Sequence, residues 1–531
     1  MRVTATHLVQ WSDSREAQGM LPILVRRLLS ATSRIMSITM PGGDSVNIPG
    51  WDGIIHVASG NPWVPDGISY WEIGTSKEPA SKANSDFEKR LKQISPVQAI
   101  HATFVFVTPR RWPGKSTWQE QAKKKNAWAN VLVWDADDLE AWLETSPATS
   151  LWLGMQLDIA GHGIEAVENY WEQWKNQSCP AITAPALFYG REQSKLTLQN
   201  NINQHEPLIT VMADSQSEAV AFVCALLIEE GHFLRAACIT SEQGWQFIDA
   251  NPGIELVVIT NNQLSKRRAP REGMSLIVPM AFGDQAFNLI GIGCQAIEQK
   301  IVELRRPQPE EFEKSLCELG IAASDAARYT HSLGRSWTVF RRWHAQNPLF
   351  KKPDWIEGAD AINLLLLTLV GAWNSDSEGD RACVEQIANR SYEDIENGLL
   401  KLTALDDAPV VKIGSIWKAK APMELLQLMA PKLTNTNLAR FFQVARAVFE
   451  QPDPVLELEE TKDGWPLSMA KFANNPVLFW RLWRNRLPSS AIFQKVFSML
   501  LLVILYEALL LNSWKMPMKN VGSPFHPSFE R

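Results

Sequence analysis

The sequence predicts an α/β protein, and three observations carry that prediction. Residues 1–155 read as helix, three strands, helix, strand, helix, strand, helix. Residues 178–305 alternate apolar strands with helices, the pattern of a parallel sheet whose crossovers cover its faces. From about residue 308 the periodicity turns helical and ends, near residue 420, on a two-strand hairpin. With 531 residues, the chain has the length of three or four domains, each able to bury its own core.

Each element has a local reason. In REAQGMLPILVRRLLSA, residues 15–31, Leu21, Leu24, Val25, Leu28 and Leu29 fall on one helical face, with Pro22 as a kink or late start. The period then changes to that of strands: MSITM, WDGIIHVASG and ISYWEIGTS form a meander joined by Pro-, Gly- and Asn-rich turns. PASKANSDFEKRLKQI reads as a charged helix, ATFVFVTP as a buried central strand, and GKSTWQEQAKKKNAW as a helix. ANVLVWDADDLEAWLE is a strand entering a helix through an Asp cap, and it closes a mixed sheet near residue 155. Beyond the linker NQSCPAITAPA come strand EPLITVMA, helix SEAVAFVCALLIEEG, strand RAACIT, a short helix near WQFIDA, and strands IELVVIT and MSLIVPM. Residues 306–357 are expected to form short helices of a lid or helix-turn-helix type. Residues 358–425 are expected to be winged-helix-like, and 426–478 a further helical segment.

Composition bounds the function classes. Hydrophobic residues make up 45% and charged residues 21%, with a net charge of −6, which excludes a disordered chain. Six cysteines lie far apart without a CxxC pair, which argues for free thiols in a reducing cytoplasm and against a zinc site. The N-terminus has no apolar run of the secretory kind. Residues 1–150 carry 16 Lys and Arg against 15 Asp and Glu, whereas the whole chain carries 52 against 58. The first domain thus approaches a polyanion more easily than the rest. The tail, 479–531, changes composition sharply, and its apolar run VFSMLLLVILYEALLL is 16 residues long with Glu507 inside it. That is short of the roughly 20 residues a bilayer span needs. A buried helix, a membrane-associated tail and an out-of-frame tail from a truncated gene compete for it, with the last favoured and no stable membrane insertion expected.

The stretch PGWDGIIHVASGNPWVPDGISYWEIGTSK, residues 49–77, carries the candidate chemistry. Asp52 ends one strand and Glu72 lies in its neighbour, and strands about 5 Å apart let two carboxylates reach one hard cation. The competing reading makes the acids turn punctuation, with Glu72 solvated on an edge. Trp51, Trp63 and Trp71 flank the acids and read first as core.

With this order of elements, residues 5–155 resemble the PD-(D/E)xK restriction-endonuclease-like nucleases. The resemblance implies a magnesium-dependent hydrolysis of DNA, with Asp52 in PGWDG as first acid, Glu72 in YWEIG as second, and Glu16 in SREAQ as an added metal ligand from the first helix. Where the family carries a lysine two residues after the second acid, this chain has Gly74. Lys77 takes the catalytic role if a bulge or strand end turns it to the acids. Lys82, Lys89 and Arg90 on the following helix are substitutes and candidate nucleic-acid contacts.

The second α/β unit is similar to the nucleotide-binding domain of STAND or AAA-type ATPases, but its loop ADSQSEAV has neither glycine nor lysine. ATP hydrolysis is not expected from it, and no cofactor other than Mg²⁺ is expected. Arg335, Arg341 and Arg342 in LGRSWTVFRRW, and Lys412, Lys418 and Lys420 on the wing, are weaker nucleic-acid candidates. The combination resembles bacterial antiphage defence effectors. By that analogy the partners are DNA and a trigger protein or further copies of the chain. The alternative is a catalytically inactive nuclease-fold regulator that binds DNA or protein through its winged helix.

Overall fold

The computed structural model describes residues 3–47, 49–159, 161–265, 270–282, 298–403, 405 and 407–450. The protein is α/β, with two mixed sheets and a small antiparallel one. The expected tail at 479–531, most of the helical segment at 426–478, and Cys294 lie outside the described residues. The chain divides into two compact units, the first running to Ala281 and resuming to Ile321, the second taking over from Ala322.

In the first unit, helices Ala5–Trp11 and Ala17–Thr32 precede strands β1 (Ile35–Thr39), β2 (Gly53–Val57) and β3 (Gly67–Ile73). Helix Pro79–Leu91 crosses to β4 (Ala102–Val107), and helix Lys115–Lys124 crosses to β5 (Asn130–Trp134). The five strands lie in sequence order, β1 to β3 antiparallel and β3 to β5 parallel. Strands β3, β4 and β5 present their alternate side chains to two cores. Trp71, Val105 and Val107 meet the leucines of helix Ala17–Thr32, with Pro22 buried inside that helix. Tyr70, Phe104 and Phe106 face the opposite way, toward Ala83 and Phe87 of helix Pro79–Leu91. β4 is buried along its whole length, as its unbroken apolar run requires of a central strand.

The second sheet has the order β11-β7-β10-β9-β8-β6, where β6 is Ile164–Glu165, β7 Leu208–Ala213, β8 Ala236–Ile239, β9 Leu256–Ile259, β10 Ser275–Ala281 and β11 Lys300–Glu303. All pairs are parallel except β6 with β8. Helices Val167–Lys175 and Glu192–Asn203 complete its surroundings. One continuous core joins Trp142, Leu151 and Leu153 behind the first sheet to Ile239, Trp245 and Leu276 of the second. The expected boundary near residue 155 is therefore a packed junction.

The stretch expected to form one lid at 306–357 is divided. Helix Pro309–Glu318 belongs to the first unit, where Phe312 and Leu316 are fully buried, while helices Ala323–Ser332 and Trp337–Trp343 belong to the second. The second unit continues with helix Leu364–Val370, β12 (Ala372–Asn374), helices Glu378–Ala388 and Tyr392–Thr403, and the hairpin β13 (Val410–Ile413) and β14 (Ile416–Ala419). β14 pairs with both β13 and β12 around fully buried Trp373 and Trp417. Cys179, Cys224, Cys238 and Cys317 are free thiols. Among the described residues no helix is long and apolar enough to cross a membrane.

Candidate active site

The register of the first sheet decides which acids meet. Gly53 is opposite Trp71, so one step further along the antiparallel pair sets Asp52 beside Glu72. Cross-strand neighbours have Cβ atoms about 4.5–5.5 Å apart. Gly53 pairs within β2, so Asp52-Gly53 is not a turn. The turn acid is Asp66, whose Oδ1 accepts from Gly60 N at 2.5 Å, and Gly67 follows it with φ +72°. Both candidate acids thus sit at the carboxyl edge of β3 and β4, where open α/β sheets place their ligands.

Neither acid is solvated in the manner of an edge residue. Asp52 Oδ2 accepts from the backbone N of Ile73 at 2.8 Å, and Glu72, 2% exposed, accepts from Arg90 Nε through Oε1 at 2.5 Å. Burial pushes the Glu72 carboxyl up to about 7, with the Arg90 hydrogen bond opposing it and the negative charges of Asp52 and Asp86 adding to it. Burial also raises Asp52, against the pull of the Ile73 N–H, Lys82 and Arg90. Burial thus disfavours the charged form of both carboxylates at one edge of the sheet.

Helix Pro79–Leu91 supplies the rest. Lys82, Asp86 and Arg90 recur every four residues and so fall on one helical face. Lys82 Nζ donates to Asp86 Oδ1 at 2.9 Å, with 40% of the lysine side chain still exposed. Arg90 is 3% exposed and fully engaged: it holds Glu72, donates to Gln93 Oε1 at 2.6 Å and to the Gly50 carbonyl, and lies 4.8 Å over the Trp51 ring. A Cβ added at Gly74 would stand 3.1 Å from Lys82 Cγ and 3.4 Å from Lys82 Cε. Gly74, having no side chain, therefore makes room for the stem of a lysine arriving from the helix.

The other expected site residues stand elsewhere. Lys77 is exposed in the loop after β3 and is not among the main charges acting on Asp52 or Glu72. Glu16 is exposed at the start of helix Ala17–Thr32, equally absent from those charges. Lys89 is exposed on helix Pro79–Leu91, whereas Arg90, expected at a nucleic-acid surface, is turned inward by Glu72. Trp71 is fully buried and Trp63 stacks on Trp142 at 5.9 Å, so these indoles are core. In the second unit Arg342 grips Glu424 through two bonds of 2.6 and 2.7 Å, and Lys412 bonds Glu396 at 2.8 Å.

Sequence reading missed Asp86 and the inward role of Arg90. The i, i+4, i+8 spacing of Lys82, Asp86 and Arg90 was the signal, but charges on a helix read first as a solvated face.

The residues suit a hard divalent cation in kind. Magnesium takes oxygen ligands and is commonly held by one or two carboxylates plus water, which Asp52 and Glu72 can supply. Asp86 Oδ2 is buried without a hydrogen-bond partner, a further acceptor at the same place. Among the described residues no three His, Cys, Asp or Glu side chains are already drawn together as a metal cluster.

The helix after β7 is built differently. Ser215 caps Gln216–Glu229 through Glu218 N at 3.2 Å, Asp214 pairs with Arg306 at 2.7 Å, and Glu218 pairs with Arg191 at 2.7 Å. Carboxylates stand where a P-loop presents bare N–H groups to phosphate. No protein-family model matches the chain, and no curated protein matches it in sequence.

Proposed function

We propose that the first unit is a magnesium-dependent nuclease that hydrolyses DNA, with Asp52 and Glu72 as metal-binding acids and Lys82 as the catalytic cation. The observation that carries this reading is the Lys82 stem lying against Gly74, which brings an ammonium to the edge that bears both carboxylates. Magnesium held by Asp52 and Glu72 would lower the pKa of an attacking water and shield the phosphate. Lys82 contributes a compact positive charge to the extra negative charge that develops on the phosphoryl oxygens. Arg90 keeps Glu72 in one orientation, and the Ile73 N–H does the same for Asp52. Exposed Lys89 extends the basic surface beside Lys82 for the DNA backbone.

The Walker-less second sheet is read as a sensing or assembly scaffold in a cytoplasmic defence effector, which a trigger protein or self-association switches on. That assignment rests on analogy of domain order. A second reading, a non-cleaving regulator that binds DNA or protein through its winged-helix-like segment, draws support from the Arg90 guanidinium already paired with Glu72. The two separate on plasmid DNA with Mg²⁺, comparing the protein with its Asp52→Ala and Glu72→Ala variants. The nuclease reading expects each variant to lose on the order of a hundredfold or more in rate. Cutting that survives both substitutions would remove the site assignment.

A further inference from the structure

We propose that Asp86 is a positioning residue that aims the Lys82 ammonium at the reacting phosphate, an inference that rests on the nuclease reading of this site. Asp86 is 4% exposed, on the helical face that also carries Lys82 and Arg90. Its Oδ1 accepts from Lys82 Nζ at 2.9 Å, while Oδ2 is buried without a partner. Stability does not account for this arrangement. Asp86 is a third carboxylate beside Asp52 and Glu72, and its charge acts unfavourably on both. Its single cation is a lysine that is 40% exposed, and exposed pairs of this kind contribute little. A buried, half-satisfied carboxylate beside two others costs folding free energy, and such costs persist where a site needs the group.

What Asp86 supplies is direction. A lysine stem has four rotatable bonds, and an ammonium without a fixed partner samples many positions. The Lys82 stem is held from below by the bare face of Gly74 and at its tip by Asp86. These two contacts define where the charge points, toward the edge that carries Asp52. Loss of such positioning reduces rate more than substrate binding.

The test is the near-isosteric Asp86→Asn, with Asp86→Glu as the charge-conserving variant, each also made in a Lys82→Ala background. With plasmid and Mg²⁺, Asp86→Asn should lower kcat by on the order of ten- to a hundredfold at unchanged KM. Its Tm should be unchanged or raised, Asp86→Glu should recover part of the rate, and Asp86→Asn should add nothing once Lys82 is alanine. A Tm that falls in step with activity, or a loss as large in the Lys82→Ala background as in the native one, would overturn the proposal. A second readout needs no cleavage: limited acetylation with acetic anhydride, with Lys89 as internal reference. Several-fold faster labelling of Lys82 in Asp86→Asn supports the positioning role even if the protein never cuts DNA, in which case only the nuclease reading fails. Unchanged labelling of Lys82 overturns it.

Discussion

Two strand-to-helix crossings in the first unit bury acids against arginines, and they do so to different ends. After β7, Glu218 and Arg191 pair at 2.7 Å with side-chain exposures of 0 and 1%. After β3, Glu72 and Arg90 pair at 2.5 Å with almost equal burial, but a second pair, Lys82 with Asp86, stands beside them with the lysine 40% exposed. The first crossing is sealed and the second is open. A buried ion pair by itself is weak evidence of a role, because its desolvation offsets most of its attraction. What separates these crossings is the balance of charge: after β3 the three carboxylates Asp52, Glu72 and Asp86 stand with the two cations Lys82 and Arg90, whereas after β7 Asp214 and Glu218 are matched by Arg306 and Arg191.

Breaking the sealed pair should have the largest effect on folding. Arg191→Ala removes an ion-pair partner from fully buried Glu218, and is expected to cost about 3–5 kcal/mol by denaturant titration, with any DNA cleavage by the folded fraction unaltered. A smaller effect concerns Glu165 on β6, whose carboxyl burial pushes up to about 7. The folded state keeps this proton while the unfolded chain loses it near the ordinary glutamate value. The group therefore lowers stability as pH rises from about 4.5 to about 7. Glu165→Gln should stabilise the protein at pH 8 by up to about 3 kcal/mol and leave it unchanged near pH 4, which Tm measured across pH will show. The smallest effect is expected from Lys89→Ala, which should weaken DNA binding modestly and reduce the salt dependence of affinity by about one phosphate contact.

Much of this architecture was legible in the sequence because periodicity reports burial. The leucines of helix Ala17–Thr32, the apolar β4 and the Asp135 cap each have the local structure their residues dictate. Asp52 and Glu72 were legible for the same reason, as they flank strands whose register follows from one hairpin. Lys77 illustrates the limit. Distance along the chain favoured it, but Lys77 is exposed in the loop after β3, whereas Lys82 on the following helix acts on Asp52 and lays its stem against Gly74. Arg90 was hidden for a related reason: a guanidinium on a charged helix reads as solvated unless β3 offers it the Glu72 carboxylate and the loop before β2 the Gly50 carbonyl. The packed junction near residue 155 was equally hidden, because a core shared by two sheets leaves no mark in the composition of either.

We propose Lys82, whose stem lies against Gly74, as the cation that serves Asp52 and Glu72. That role is tested most directly by Mg²⁺-dependent plasmid cleavage with Lys82→Ala and Lys77→Ala measured side by side. Lys82→Ala should lose on the order of a hundredfold or more in rate with its Tm preserved, while Lys77→Ala cuts like the unaltered protein. Loss of cleavage in Lys77→Ala with Lys82→Ala unimpaired would contradict the account.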